Sequence, residues 1–290
     1  MWVLLTLFAA LMQSFRNAAM SQLSAHVSPI AGTFARFIFA GPIVAVYLAT
    51  LYWFTNRSIQ FPVVGAMPYI VLTALFQAAA TILMIKLFQQ NNYAIGAGLA
   101  KSEALAAAIF GALFFGSTLN LIGALGIGIG AFAILLLSIK KATGRPSAAT
   151  FLLGLLCGIM FALSSLMARE SSLRSGLAFP YSAATVLLIV ITIQVIILAL
   201  YLAWREPKAI SVLLKNWPAT GLVSLTSALG SIGWFSAMAL TNVAYVKTLG
   251  QIEVLFTVGI ARFYLNQHTN LRDYIGLTLI GISSVLVLLS

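Results

Sequence analysis

Apolar runs of about 18 to 25 residues follow one another along nearly the whole chain, separated only by short polar punctuation. Each run has the length a helix needs to cross a hydrocarbon layer. A soluble core cannot absorb a sequence that is 61% apolar and 7% charged, where a globular protein carries roughly 25% charged residues. Too little polar surface remains to build a shell around it. Barrel strands would alternate in polarity over about ten residues, and no such alternation occurs. The fold expected is therefore an all-α integral membrane protein.

The net charge of +11 does not read as a nucleic-acid footprint, because the basic residues are scattered at helix ends without forming a basic face. Short cationic loops beside a bilayer explain it better, since Lys and Arg anchor and orient spans. The single cysteine, Cys157, lies in an apolar run and reads as a small buried hydrophobe. The amino-terminal MWVLLTLFAALMQSF lacks the basic leader region of a signal peptide and reads as a retained first span. No lipidation or retention motif is evident at either end.

Pro, Gly, Asn and charge divide the chain into ten transmembrane helices, at 3–22, 30–53, 66–88, 93–115 and 119–139, then 149–168, 180–203, 218–239, 243–265 and 271–289. Connections are short, the longest running from Arg205 to Pro218. Only five residues are acidic, yet Glu103 and Glu253 each sit about ten residues into a span, roughly 15 Å from where it begins. A carboxylate at that depth is costly and usually faces the bundle interior or a solute path. The two lie 150 residues apart, and a shift near that value superposes the halves of the chain. Each fourth span ends in a polar turn, at Gly116–Asn120 and Asn266–Asn270, and a Gly-containing fifth span follows through Gly123 and Gly276. The expected organisation is two inverted five-helix repeats, residues 1–141 and 149–290, joined by a connection at 142–148. An odd number of spans makes the halves enter the membrane from opposite sides, which is how many secondary transporters build two conformations around one site.

That arrangement resembles the drug/metabolite transporter superfamily, in particular its EamA-type ten-helix members. The likeness covers nearly the whole chain and includes Ala35-Arg36-Phe37-Ile38-Phe39-Ala40 in the second span, as an A-R-F-x-F-A context. It also includes the fourth- and ninth-span pattern of small residues, a long apolar helix, a polar turn and a Gly-rich last helix. One departure is visible. Family members commonly place a proline and an acid near the end of these spans, where this chain has Phe115-Gly116-Ser117 and Leu265-Asn266-Gln267. The resemblance implies small-molecule transport across the cytoplasmic (inner) membrane, often export of amino acids or other metabolites, with coupling that varies.

Candidate residues for a substrate or proton pathway are Glu103, Glu253, Lys101, Lys247, Arg36, Trp234, Tyr245 and Gln77. Lys101 is two residues from Glu103 and Lys247 six from Glu253, spacings that put each pair on different sides of its helix. Salt bridges should therefore cross between helices, Glu103 with Lys247 or Glu253 with Lys101. Either lysine could instead snorkel to the surface. Arg36 could hold a substrate carboxylate with paired donors, or snorkel likewise. Arg16 shares a face with Gln13 but lies near a span end and reads as an anchor, as does Lys86. Trp234 lies inside the eighth span beside Gly230 and Gly233, open to cavity lining or to packing; Trp2, Trp53, Trp204 and Trp217 form an aromatic belt. Gly126 and Gly130 make a close-packing face rather than a nucleotide loop, since the phosphate-loop lysine and its strand are missing. His26 and His268 stand apart with no metal-ligand spacing, and no metal is expected.

The function expected is secondary transport of a small polar or zwitterionic organic metabolite, amino-acid-like or related, with the resemblance implying an outward direction. Broad-specificity drug efflux and a non-transporting scaffold or receptor are the alternatives. An enzyme is disfavoured because no catalytic constellation recurs near one membrane face. The partners expected are a small-molecule substrate and membrane lipids, with no nucleic acid and with a homodimer left open. No cofactor is expected, while proton coupling stays open. The positive-inside tendency, counted over Lys140, Lys141, Arg145, Arg205, Lys208, Lys215 and Arg272, favours both termini outside, whereas many family members have them inside.

Overall fold

The computed structural model describes residues 1–55, 58–89, 102–140, 148–256 and 271–290, with backbone alone at 134–135, 137–140, 148, 271–274 and 277. Within them, twelve α-helices follow in order. They are α1 Trp2–Leu23, α2 Pro29–Phe37, α3 Ala40–Thr55, α4 Met67–Gln89, α5 Glu103–Phe115 and α6 Leu121–Lys140. The second half continues with α7 Ala148–Leu173, α8 Tyr181–Arg205, α9 Pro207–Lys215, α10 Trp217–Leu240, α11 Val243–Leu249 and α12 Leu271–Leu288. Six stretches among the described residues are long and apolar enough to cross a bilayer, α2 and α3 counting together as one. Shorter apolar helices include Glu103–Phe115, Leu121–Ala133 and Thr278–Leu288. The chain is an all-α, multi-pass membrane protein. The expected connection between repeats through 147, the beginning of the fourth span, the end of the ninth and its polar turn lie outside the described residues.

The expected second span at 30–53 is not one helix. Pro42 has no N–H to donate, and its ring crowds the carbonyl of Ile38. The helix accordingly stops at Phe37 and restarts at Ala40. Ala35 and Phe39 are four apart, the spacing of a helical hydrogen bond. Here the hydroxyl of Ser224 in α10 takes the place of that bond, donating to the Ala35 carbonyl at 2.6 Å and accepting from the Phe39 N–H at 3.3 Å. A serine inserted into the ladder satisfies both backbone groups, which hydrocarbon would leave bare. At the start of α2, Pro29 occupies the first turn and Ser28 caps it, accepting from the Ala31 N–H at 3.2 Å.

Two other expectations change. The expected connection from Arg205 to Pro218 contains α9, which buries Leu213 against the bundle and leaves Lys208 and Lys215 exposed. The expected ninth span also tightens into a 3₁₀ turn at Gly250–Ile252, immediately before Glu253.

The principal packings are α1 on α10, α4 on α7 and α6 on α12, and both α2 and α3 lie against α8. Small residues permit the first. A methyl group added at Gly233 would lie 2.9 Å from both the Ala9 Cβ and the Leu5 carbonyl, so the two backbones nearly touch. Contacts between loops define two ends of the bundle. At one, Ser28 donates to Glu206 at 2.6 Å and Gln89 donates to the Ser24 carbonyl at 2.9 Å. At the other, Asn120 donates to the Ser290 carbonyl at 3.0 Å and the Val63 N–H reaches the Ser175 carbonyl at 3.0 Å. Trp53, Trp204 and Trp217 are exposed at helix ends, as a belt requires. Trp2 differs, packing half-buried against the core.

Candidate functional site

Glu103 is the first residue of α5, where the positive end of the helix dipole favours a carboxylate. It is buried, and its Oε2 lies 3.4 Å from the Nζ of Lys247 in α11. Lys247 does not snorkel; it is 8% exposed, with its ammonium 4.7 Å from the centre of the Trp234 ring. The cation thus sits between a carboxylate and an indole face, both of which stabilise it away from water. Trp234 is packed on the other side as well, since a methyl group at Gly250 would collide with its ring. Its indole N–H donates to the Gln13 Oε1 at 2.9 Å.

Gln13 carries the chain of contacts onward. Its amide donates to Glu253 Oε2 at 2.6 Å, and Asn17 donates to the other carboxylate oxygen at 2.7 Å. Arg16 in turn donates through Nε and Nη2 to the Asn17 Oδ1, at 3.2 and 2.8 Å. Five side chains, from α1, α5, α10, α11 and the position just after the 3₁₀ turn, therefore form one track, all of them buried but the partly buried Gln13: Glu103, Lys247, Trp234, Gln13 and Glu253. The expected anchoring of Arg16 is overturned, because the residue is 4% exposed and faces the bundle. It lies only two turns from the end of α1, but α1 packs along α10 at that level.

A second polar group lies between α2, α4 and α8. Arg36 is 2% exposed and donates from Nη1 to the Thr81 hydroxyl at 2.7 Å, with its guanidinium 5.0 Å from the Phe37 ring. One turn along α4, the Gln77 Oε1 accepts from the Gln194 amide at 3.0 Å, and the same amide reaches the Ala74 carbonyl.

The remaining candidates scatter. Tyr245 is half-buried against Gly123, where an added methyl would meet its ring at 2.6 Å. Gly126 and Gly130 face α12: added methyls would meet the Ser283 carbonyl at 3.1 Å and the Ser283 hydroxyl at 2.6 Å. Lys86 and His26 are exposed. The Cys157 thiol is buried and donates to the Ala80 carbonyl at 3.3 Å. Arg169 belongs to α7 and donates to the Met238 and Thr241 carbonyls that end α10. Lys101 and His268 lie outside the described residues, so the pairing of Glu253 with Lys101 does too.

Sequence reasoning passed over Asn17, Thr81 and Gln194, and used Gln13 only as a neighbour of Arg16. The signal was present for α1. Gln13 and Asn17 stand four apart, hence on one face of an otherwise apolar helix, and a buried amide is costly for the same reason an acid is.

Among the described residues there is no cluster of three or more potential metal ligands. A solved crystal structure superposes on the chain with a TM-score of 0.74 at 16% identity, covering 99% of this chain and 96% of that one, and so shares its fold. No curated protein matches. The model of the EamA-like transporter family matches residues 1–139 and again 148–289. With nearly the whole chain accounted for, the protein belongs to the EamA-like transporter family, a family of membrane transporters and not of enzymes.

Proposed function

We propose that the protein is a secondary transporter of a small polar or zwitterionic organic metabolite, working outward across the cytoplasmic membrane. Its ten spans form two inverted five-helix repeats, and the two glutamates serve the solute or proton path. The observation that carries this reading is the buried track from Glu103 through Lys247, Trp234 and Gln13 to Glu253. Both acids come from the fourth span of their half, and both are engaged by groups from other helices. Structural packing alone rarely requires charges of both signs at that depth.

The two matched stretches of the family model support the duplication. So does the packing: exchanging the halves turns the α1–α10 pair into the α7–α4 pair, and maps α6–α12 and α2–α8 onto themselves. Interruptions at Ile38–Phe39 and Gly250–Ile252 supply the discontinuous helices on which such transporters build their sites. Arg205, Lys208 and Lys215 gather at the end of the bundle away from Ser290, which favours both termini outside.

In this mechanism Lys247 is the exchangeable partner. A proton or a solute ammonium arriving at Glu103 weakens the Lys247 contact, and α11 is released from α5. The decisive experiment is flux of a radiolabelled metabolite panel into proteoliposomes, with and without a proton gradient. Flux dependent on the protein supports transport; its absence across the panel, with the protein correctly inserted, favours a scaffold.

A further inference from the structure

Arg36 is a buried cation whose needs the described residues do not meet. Its Nη1 donates to the Thr81 hydroxyl, but its Nε is buried with no hydrogen-bond partner among the described residues. Among the described residues no carboxylate lies within ion-pair distance of it; the glutamates of the central track are engaged by Lys247, Gln13 and Asn17. A buried guanidinium left in this condition is strongly unfavourable, and an anion presented to its open edge would relieve it. The surroundings supply more than charge. The Gln194 Oε1 is likewise buried without a partner, on the amide that Gln77 and the Ala74 carbonyl hold in place through its nitrogen. Arg36 and Gln194 are linked through α4, since the Thr81 hydroxyl donates to the Gln77 backbone carbonyl at 2.8 Å while the Gln77 side-chain Oε1 accepts from Gln194. An unsatisfied donor edge and an unsatisfied acceptor thus belong to one connected group between α2, α4 and α8.

We infer that Arg36 and Gln194 form a solute subsite, in which the guanidinium takes a carboxylate of the transported metabolite and the Gln194 carbonyl takes a neighbouring N–H or O–H donor. The inference rests on the transport reading and sharpens it: the solute carries a carboxylate with an amine or hydroxyl close by. Thr81 and Gln77 are positioning residues that hold the two groups in place.

The test uses the full-length protein in proteoliposomes, with counterflow of L-amino acids, short 2-hydroxy acids and dicarboxylic acids, each beside its carboxamide. For at least one acid, the carboxamide should be carried on the order of tenfold to a hundredfold less effectively, the worth of a charge-assisted hydrogen bond. In Arg36→Gln the difference between acid and amide should vanish, whereas Arg36→Lys should weaken acid transport but keep the preference. A purely structural role for Arg36 would lower both compounds equally. Size-exclusion profiles and unliganded melting temperatures check that the variants fold, and Gln194→Leu gives an independent arm by lowering transport of the same acid. Acids and amides carried equally well, or an acid preference that survives Arg36→Gln, would overturn the subsite while leaving transport intact. Silence of the entire panel would overturn both.

Discussion

Lys247 is the residue on which the central track turns, because it alone joins the acid of the first half to an element of the second. Truncating it in Lys247→Ala leaves Glu103 buried without its cation, a loss of about 3–5 kcal/mol for a broken buried pair. The Glu103→Gln, Lys247→Gln double variant should cost clearly less than the sum of its singles. A double-mutant cycle of unfolding free energies in detergent measures this, and additivity within about 0.5 kcal/mol would deny the pairing. The partnership was legible in part. Spacing along the sequence excluded intrahelical pairs and left two cross-pairs, of which the structure brings one together. It could not reveal that an indole would share the ammonium, or that two amides of α1 would hold Glu253. The amide contacts join residues more than 200 positions apart and the indole contact crosses from one helix to the next, so only tertiary packing decides them.

At the scale of elements, the departures from regular helix are where sequence and structure part. Pro42 announced a disturbance, but hydropathy runs straight through it, so the second span read as continuous. What could not be foreseen was the replacement for the lost hydrogen bond, which comes from Ser224 on a distant helix. Ser224→Ala should destabilise the protein by about 1–3 kcal/mol, the cost of a buried unsatisfied backbone group. Adding Pro42→Ala lets the ladder close and should recover part of that loss in thermal melts; no recovery would mean that the break has another cause. Glycines give a second test. Gly130→Ala drives a methyl toward Ser283 and Gln251, whereas Gly128→Ala meets nothing within 4 Å. The first should cost about 1–3 kcal/mol by overpacking and the second almost nothing. The close-packing face was readable from its four-residue glycine spacing, but its partner helix was not.

For the whole molecule, the broad architecture was written in the length and succession of apolar runs, while the register of the halves hung on two glutamates. On the proposed ten-span reading both termini lie on one side, and the positive-inside tendency predicts that this side is outside. Reporters fused at Met1 and Ser290 should agree with each other and report the outer compartment; opposite signals would break the ten-span count, and two inner signals would reverse the orientation. The central claim concerns the track that links the halves. Solute flux through proteoliposomes containing the wild-type protein or the Glu103→Gln, Glu253→Gln variant tests it most directly. Both preparations should insert equally, and the variant should lose at least tenfold in flux, with any dependence on the proton gradient lost as well. Flux in the variant equal to wild type would contradict the account, because the two acids would then fasten helices without serving the solute.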